Sequence, residues 1–221
     1  MFEHLYDPFP ALLDTSVLFP PTLRDTLLYA AARHLYRPFW SEGILEELAR
    51  VLVREGQTTE AQAQRLVSQI RGFFPEAMIE GWEDLASAMR NDEGDRHVLA
   101  AAVRKNVSVI VTANTRHFLP DAVGKYNIEI KTPDDFLTDL FDLYPAELMA
   151  VLHQQAASKK KPPLSVPDVL ARLARTACTK FVARAEAHRD TLAHAVQQQE
   201  ATAPQAVPVY VRIGEPRDLQ Q

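Results

Sequence analysis

The chain of 221 residues contains a single cysteine, Cys178. That excludes an internal disulfide and a cysteine-based zinc site, and it suits a reducing compartment. Positive charge is not in excess either: 24 Lys and Arg stand against 29 Asp and Glu, a net charge of −5. No global basic field draws in nucleic acid, so any such contact has to use a local basic patch. No apolar run approaches the ~18 residues that suggest a membrane span. The opening "MFEHLYDPFP" carries acids and prolines where a secretory signal has a basic region and an apolar run. No internal repeat is visible. The expectation is a soluble cytoplasmic protein without membrane contact, and 47% hydrophobic residues are enough for a sizeable core.

Apolar strands alternate with amphipathic helices along the first 144 residues. Residues 11–19, "ALLDTSVLF", read as a strand that is apolar on both sides, the mark of a parallel sheet. Leu23, Leu27, Leu28, Ala31 and Ala32 recur at helical spacing. "YRPFW" is a short second strand, and "SEGILEELARVLVREG" a helix with Ser41 as N-cap and Gly56 as its stop. "TTEAQAQRLVSQIRGFF" is a helix ended by Pro75; "EAMIEGW" reads as a strand and "EDLASAMR" as a short helix. "GDRHVLAAAVRKN" is a helix joined tightly to the strand "VSVIVTA", and "NIEIKTPDDFLTDLFDL" is a strand and then a helix. This order predicts a three-layer α/β/α domain around a parallel sheet over residues 1–144. Residues 145–195 read as a helical extension interrupted by "SKKKPPLSVPD", and the polar, Pro-rich residues 196–221 as a flexible tail.

Three acids stand out against that frame. An ionised carboxylate cannot lie dry in a core. Asp14 therefore either ends its strand and is delivered to a polar site, or meets a cation inside. Capping of the next turn through Thr15 and Ser16 is the plain alternative. On a helical wheel Ile44, Leu45, Leu48, Val51 and Leu52 define a buried face, with Glu47 at its margin and Glu46 outside. An ion pair with Arg50 or Arg54 is the plain reading of Glu47. Asp95 heads the apolar face formed by Val98, Leu99 and Ala102, and a helix cap is its plain explanation. Asp92 and Glu93 fall in the preceding loop, where exposure to solvent is expected. Three carboxylates converging from separate elements repel one another unless a cation sits between them. Oxygen ligands suit Mg²⁺ or Mn²⁺, which activate water and neutralise phosphodiester charge.

"LLDTSVLF", "WSEGILEELARVL", "NDEGDRHVLAAAV" and "VIVTANTRHF" resemble, in order and spacing, the motifs of PIN-domain ribonucleases. The nearest kin by resemblance are the VapC-like toxins of bacterial toxin–antitoxin pairs. The likeness covers residues 8–142, and "KKKPPLSVPDVLARLAR" is similar to the C-terminal part of one branch of that family. It implies a Mg²⁺- or Mn²⁺-dependent endoribonuclease that cuts single-stranded or looped RNA by metal-activated water. Asp14, Glu47 and Asp95 would be the catalytic, metal-holding acids, with the Thr-x-Asn block at Thr112 and Asn114. Members of the family commonly carry a further acid at the position of Asn114 or three residues on. Here those places hold Asn114 and His117, which reduces the anionic ligands and moves metal preference from Mg²⁺ towards Mn²⁺. A phosphate contact and a plain surface turn are the other readings of His117.

Thr15 and Ser16 are expected to support Asp14, and Arg96 and Arg116 flank the site as candidate phosphate ligands. Lys159, Lys160 and Lys161 are either an RNA-backbone contact or a solvated linker. The resemblance further implies an antitoxin partner, and a homodimer through the apolar faces of residues 41–73, for which core packing is an equal explanation. Two rivals remain. A phosphatase with an aspartate nucleophile wants a second aspartate at the place of Ser16. A PIN-like binding module without turnover fits the loss of acid at Asn114 and His117.

Overall fold

Five short parallel strands form the centre of the protein, in the order β3-β2-β1-β4-β5. The computed structural model describes residues 8–202, with side chains as far as Thr191. The strands are β1 (Pro10–Leu13), β2 (Arg37–Ser41), β3 (Met78–Ile79), β4 (Val109–Val111) and β5 (Glu129–Lys131). Between them run α1 (Thr15–Leu18), α2 (Pro21–Ala32), α3 (Glu42–Arg54), α4 (Glu60–Phe73), α5 (Glu83–Ala86), α6 (Arg96–Lys105) and α7 (Pro120–Val123). The chain then continues as α8 (Pro133–Leu143), α9 (Pro145–Ser158), α10 (Val166–Ala174) and α11 (Thr179–Thr202). Through Glu186 the chain forms one compact unit, and from Ala187 a second, into which α11 continues. The expected tail lies mostly outside the described residues.

Strand order explains where a site can form. From β1 the chain builds outward through β2 to β3, then crosses back to lay β4 on the other side of β1. Right-handed crossovers place helices on opposite faces for the two directions, and a crevice opens where the direction changes. That switch point lies between β1 and β4. Their register pairs Leu12 with Ile110 and Leu13 with Val111. The next residues, Asp14 and Thr112, therefore emerge side by side at the carboxyl end of the sheet.

The strand expected over residues 11–19 ends at Leu13. Thr15–Leu18 instead turn as α1, with Thr15, Val17 and Leu18 buried. Arg24, itself buried, closes this turn by donating to the Leu18 carbonyl at 2.8 Å and the Phe19 carbonyl at 3.4 Å. The apolar run "VLF" thus packs as helix, and periodicity over so few residues could not separate the two.

The remaining elements follow the sequence closely. Ser41 caps α3 by accepting from the Ile44 amide at 3.4 Å, and Gly56 lies beyond its end at φ +67°. Thr59 and Gln62 form a capping box on α4. Asn106 takes the left-handed conformation that closes α6 and turns the chain into β4. The apolar faces of residues 41–73 are spent largely on the core, where Ile44, Leu45, Leu48, Leu52, Ala63, Val67 and Ile70 are buried. No helix among the described residues is long and apolar enough to cross a membrane.

Candidate active site

Asp14 occupies the N-cap position of α1, yet its side chain makes no capping bond. It is 2% exposed, and its Oδ2 accepts from Ser16 Oγ at 2.6 Å and from Thr112 Oγ1 at 2.7 Å. Neither hydroxyl uses Oδ1. Thr112 is fully buried and accepts in turn from the Asn114 amide at 2.9 Å, while Ser16 Oγ accepts from the Ala113 amide at 3.0 Å. Ser16, Thr112 and the 112–114 turn therefore orient the carboxylate from below. The plain reading of Asp14 as a cap fails.

Asp95 shows the same pattern. It stands at the N-cap of α6 without a side-chain capping bond, whereas Ser41, Thr59, Thr132 and Ser165 all cap their helices. Its Oδ2 instead accepts from His117 Nδ1 at 2.5 Å. Burial raises the Asp95 pKa above the ordinary carboxylate value, the charges of Asp14 and Asp92 add to the rise, and the His117 bond opposes it. Asp14 and Asp95, from different elements, are both bonded to the segment that follows β4, through Thr112 and His117.

Glu47 is half-buried on α3 while Glu46 is exposed, as the wheel required. Its Oε2 accepts from Thr15 Oγ1 at 2.7 Å and lies 3.8 Å from His97 Nε2. Arg54 pairs with Glu55 and not with Glu47. Thr15, expected beside Asp14, thus holds Glu47, and Ser16 holds Asp14. His97 escaped the sequence reading. Its Nδ1 lies 2.9 Å from the Gly94 carbonyl, which fixes the ring, and its Nε2 is buried without a hydrogen bond.

Asp92, Asp95 and His117 bring one ligand atom each within 4.8 Å of one another, close enough to hold one ion. Asp92 is exposed as expected, but it belongs to this group, which the sequence reading missed. The signal available was its spacing of three from Asp95 across a turn. His117 is half-buried against Asp95, so it is no plain surface residue. Arg116 donates from Nε to His117 Nε2 at 3.3 Å, and Arg96 is half-buried with its Nε lacking a partner. The Asn114 side chain makes no capping bond on the 115–117 turn. Far from this centre, Lys159 is tied to Asp25 at 2.6 Å, leaving Lys160 and Lys161 exposed.

The donor set of Asp92, Asp95 and His117, two carboxylates and an imidazole, fits a divalent cation. Comparison with known families agrees with the architecture. A PIN-domain model matches residues 10–116, and a model of the VapC50 C-terminal domain matches residues 133–187. Together these two matches support a VapC-like PIN-domain protein. A Mycobacterium tuberculosis protein named "Putative ribonuclease VapC50" is 46% identical over 90 residues, 41% of this chain and 53% of that protein. The match therefore spans about half of the relative's length. No solved structure matches. Apart from His117, one residue beyond it, the site described here falls within the matched PIN segment, and α8, α9, α10 and the start of α11 fall within the segment similar to the VapC50 C-terminal domain.

Proposed function

We propose that this protein is a divalent-metal-dependent endoribonuclease, the toxin of a toxin–antitoxin pair, with Asp14, Glu47 and Asp95 as its catalytic acids. One observation carries the reading. Two acids from different elements, Asp14 and Asp95, are bonded to the segment after β4 through Thr112 and His117, and neither serves the helix it heads.

Asp14, Asp95 and Glu47 would hold Mg²⁺ or Mn²⁺, with Asp92 and His117 within reach. The bound ion supplies Lewis-acid neutralisation of the phosphodiester and a water acidic enough to attack at neutral pH. The protein's own groups do the rest. Ser16 and Thr112 keep Asp14 in one rotamer, and Thr15 does the same for Glu47. Arg96 and Arg116, on either side of Asp95 and His117, bind the phosphate flanking the scissile bond. Attack by water on phosphorus, with departure of the 3′-oxygen, leaves a 5′-phosphate and a 3′-hydroxyl. A cognate antitoxin covers the acidic crevice and restrains the enzyme.

The second reading, a binding module without turnover, draws on one feature: His117 stands bonded to Asp95 where relatives place an acid. One experiment separates them. Purified protein is incubated with a mixed single-stranded RNA pool in Mg²⁺, Mn²⁺ or chelator, beside Asp14→Asn. Metal-dependent cutting that falls at least 100-fold in Asp14→Asn is expected. Absence of cutting in either ion by folded protein establishes the binding module.

A further inference from the structure

His117 changes the chemistry of the metal centre beyond the removal of a charge. We infer that Asp92, Asp95 and His117 form a mixed carboxylate–imidazole site that selects a divalent transition ion of the Mn²⁺ or Co²⁺ class over Mg²⁺. The three side chains come from two loops that the backbone ties together, because the Asp92 amide donates to the His117 carbonyl at 3.2 Å. The approach of the two segments is thus built into the backbone. Asp92 receives the Gly94 amide on Oδ1, which keeps Oδ2 available. Asp95 reaches His117 because it does not cap α6.

A second feature marks this turn as unfinished by protein alone. Asn91, directly before Asp92, is 7% exposed, and both polar atoms of its side chain lack partners. Buried polar groups without partners are uncommon in a self-sufficient turn and call for water or a bound ligand. The group is also not purely acidic. Mg²⁺ demands octahedral oxygen ligation and gives up its waters reluctantly, whereas imidazole nitrogen suits the later first-row ions.

The inference concerns the choice of ion and rests on the reading above only for the presence of a metal, so its test contains no RNA. Titration calorimetry on the full chain measures binding of Mg²⁺, Mn²⁺ and Co²⁺ separately, for the native protein and for His117→Asp. Native protein is expected to prefer Co²⁺ and Mn²⁺ over Mg²⁺ by a factor at least tenfold larger than His117→Asp does. That is the scale on which altered surroundings of a metal ligand change affinity. In parallel, ¹⁵N-histidine spectra of native protein with diamagnetic Cd²⁺ should show one imidazole shifting on binding, with that signal missing in His117→Asp. An unmoved His117 nitrogen at saturating Cd²⁺, or equal ion preference in the two proteins, overturns the inference. The spectra decide even where His117→Asp folds poorly. Protein that binds ions as inferred but leaves RNA intact refutes the ribonuclease reading and not this one.

Discussion

Asp95 shows how a single carboxyl can cost a fold stability. Its carboxyl is raised above its ordinary pKa, chiefly by burial and then by Asp14 and Asp92. Between the ordinary value and the raised one, the folded chain keeps a proton that the unfolded chain has lost. Stability therefore falls as pH rises through that window and stays lowered at neutral pH. Asp95→Asn removes the charge while its amide oxygen still accepts from His117. In chelator at pH 7 the variant should be more stable than the native protein by on the order of 1 kcal/mol, a common gain when a strained functional group is relieved. Urea unfolding at pH 7 and pH 4 checks this. The advantage should shrink at the lower pH, and a variant less stable at both contradicts the account. Asp14, Glu47 and Asp95 were legible as residues because each broke an apolar pattern at its edge. Asp92 and His97 were not, since neither interrupts a buried face. Their relevance comes from a turn geometry and a cross-helix approach that no one-dimensional pattern carries.

At the scale of elements, the helices after β5 are fastened by polar groups that sequence reading passes over. Gln155 of α9 is 1% exposed, accepting from Thr26 Oγ1 at 2.7 Å and donating to the Thr22 carbonyl at 2.9 Å. Asp134 of α8 is buried and accepts from the amides of Lys180 and Phe181 at 3.0 and 2.9 Å. It thus caps the first turn of α11 from a distant helix, in place of the local Ser or Thr that a scan for caps looks for. Asp134→Ala should cost about 1–3 kcal/mol, since it leaves one buried and one part-buried amide without their partner. Cys178, immediately before α11, supplies a local readout. It is fully buried, with its thiol pushed up to about 11, mainly by burial. In the native protein at pH 8 a disulfide reagent should label it slowly, and Asp134→Ala should speed labelling tenfold or more. Unchanged labelling together with unchanged stability would show that the cap bears no load. The helices themselves were legible from composition, but their attachment was not, because long-range polar partners have no sequence period.

For the whole molecule, the boundary drawn at residue 144 separates parts that are physically joined. Arg24 holds the turn that follows Asp14, and Arg24 lies on α2. The other side of α2 is fixed to α9 by Thr26 and Gln155, by Lys159 with Asp25, and by Arg33 with Glu147 at 2.8 Å. Behind these, Leu148, Val151, Leu152, Val169, Leu170 and Leu173 are fully buried, and Phe141 packs on Phe181 with ring centroids 5.9 Å apart. A path of direct contacts therefore runs from the extension through α2 to the end of the turn that follows Asp14. Residues through Glu186 should melt as one cooperative unit, with calorimetric and van't Hoff enthalpies equal in the full chain. A fragment ending at residue 144 loses the cover of Thr26 and Phe141 and should unfold at a lower temperature, with reduced cooperativity. Because Arg24 of α2 closes the turn that carries Ser16, a partner of Asp14, that fragment should also bind Mn²⁺ more weakly under conditions where it is still folded. Two separate transitions in the full chain, or a fragment that matches it in both melting and Mn²⁺ affinity, would show the PIN domain to be self-sufficient. The continuity of packing from α9 to Arg24 argues for one cooperative body. On that account the C-terminal helices act on the site through stiffness, without touching it.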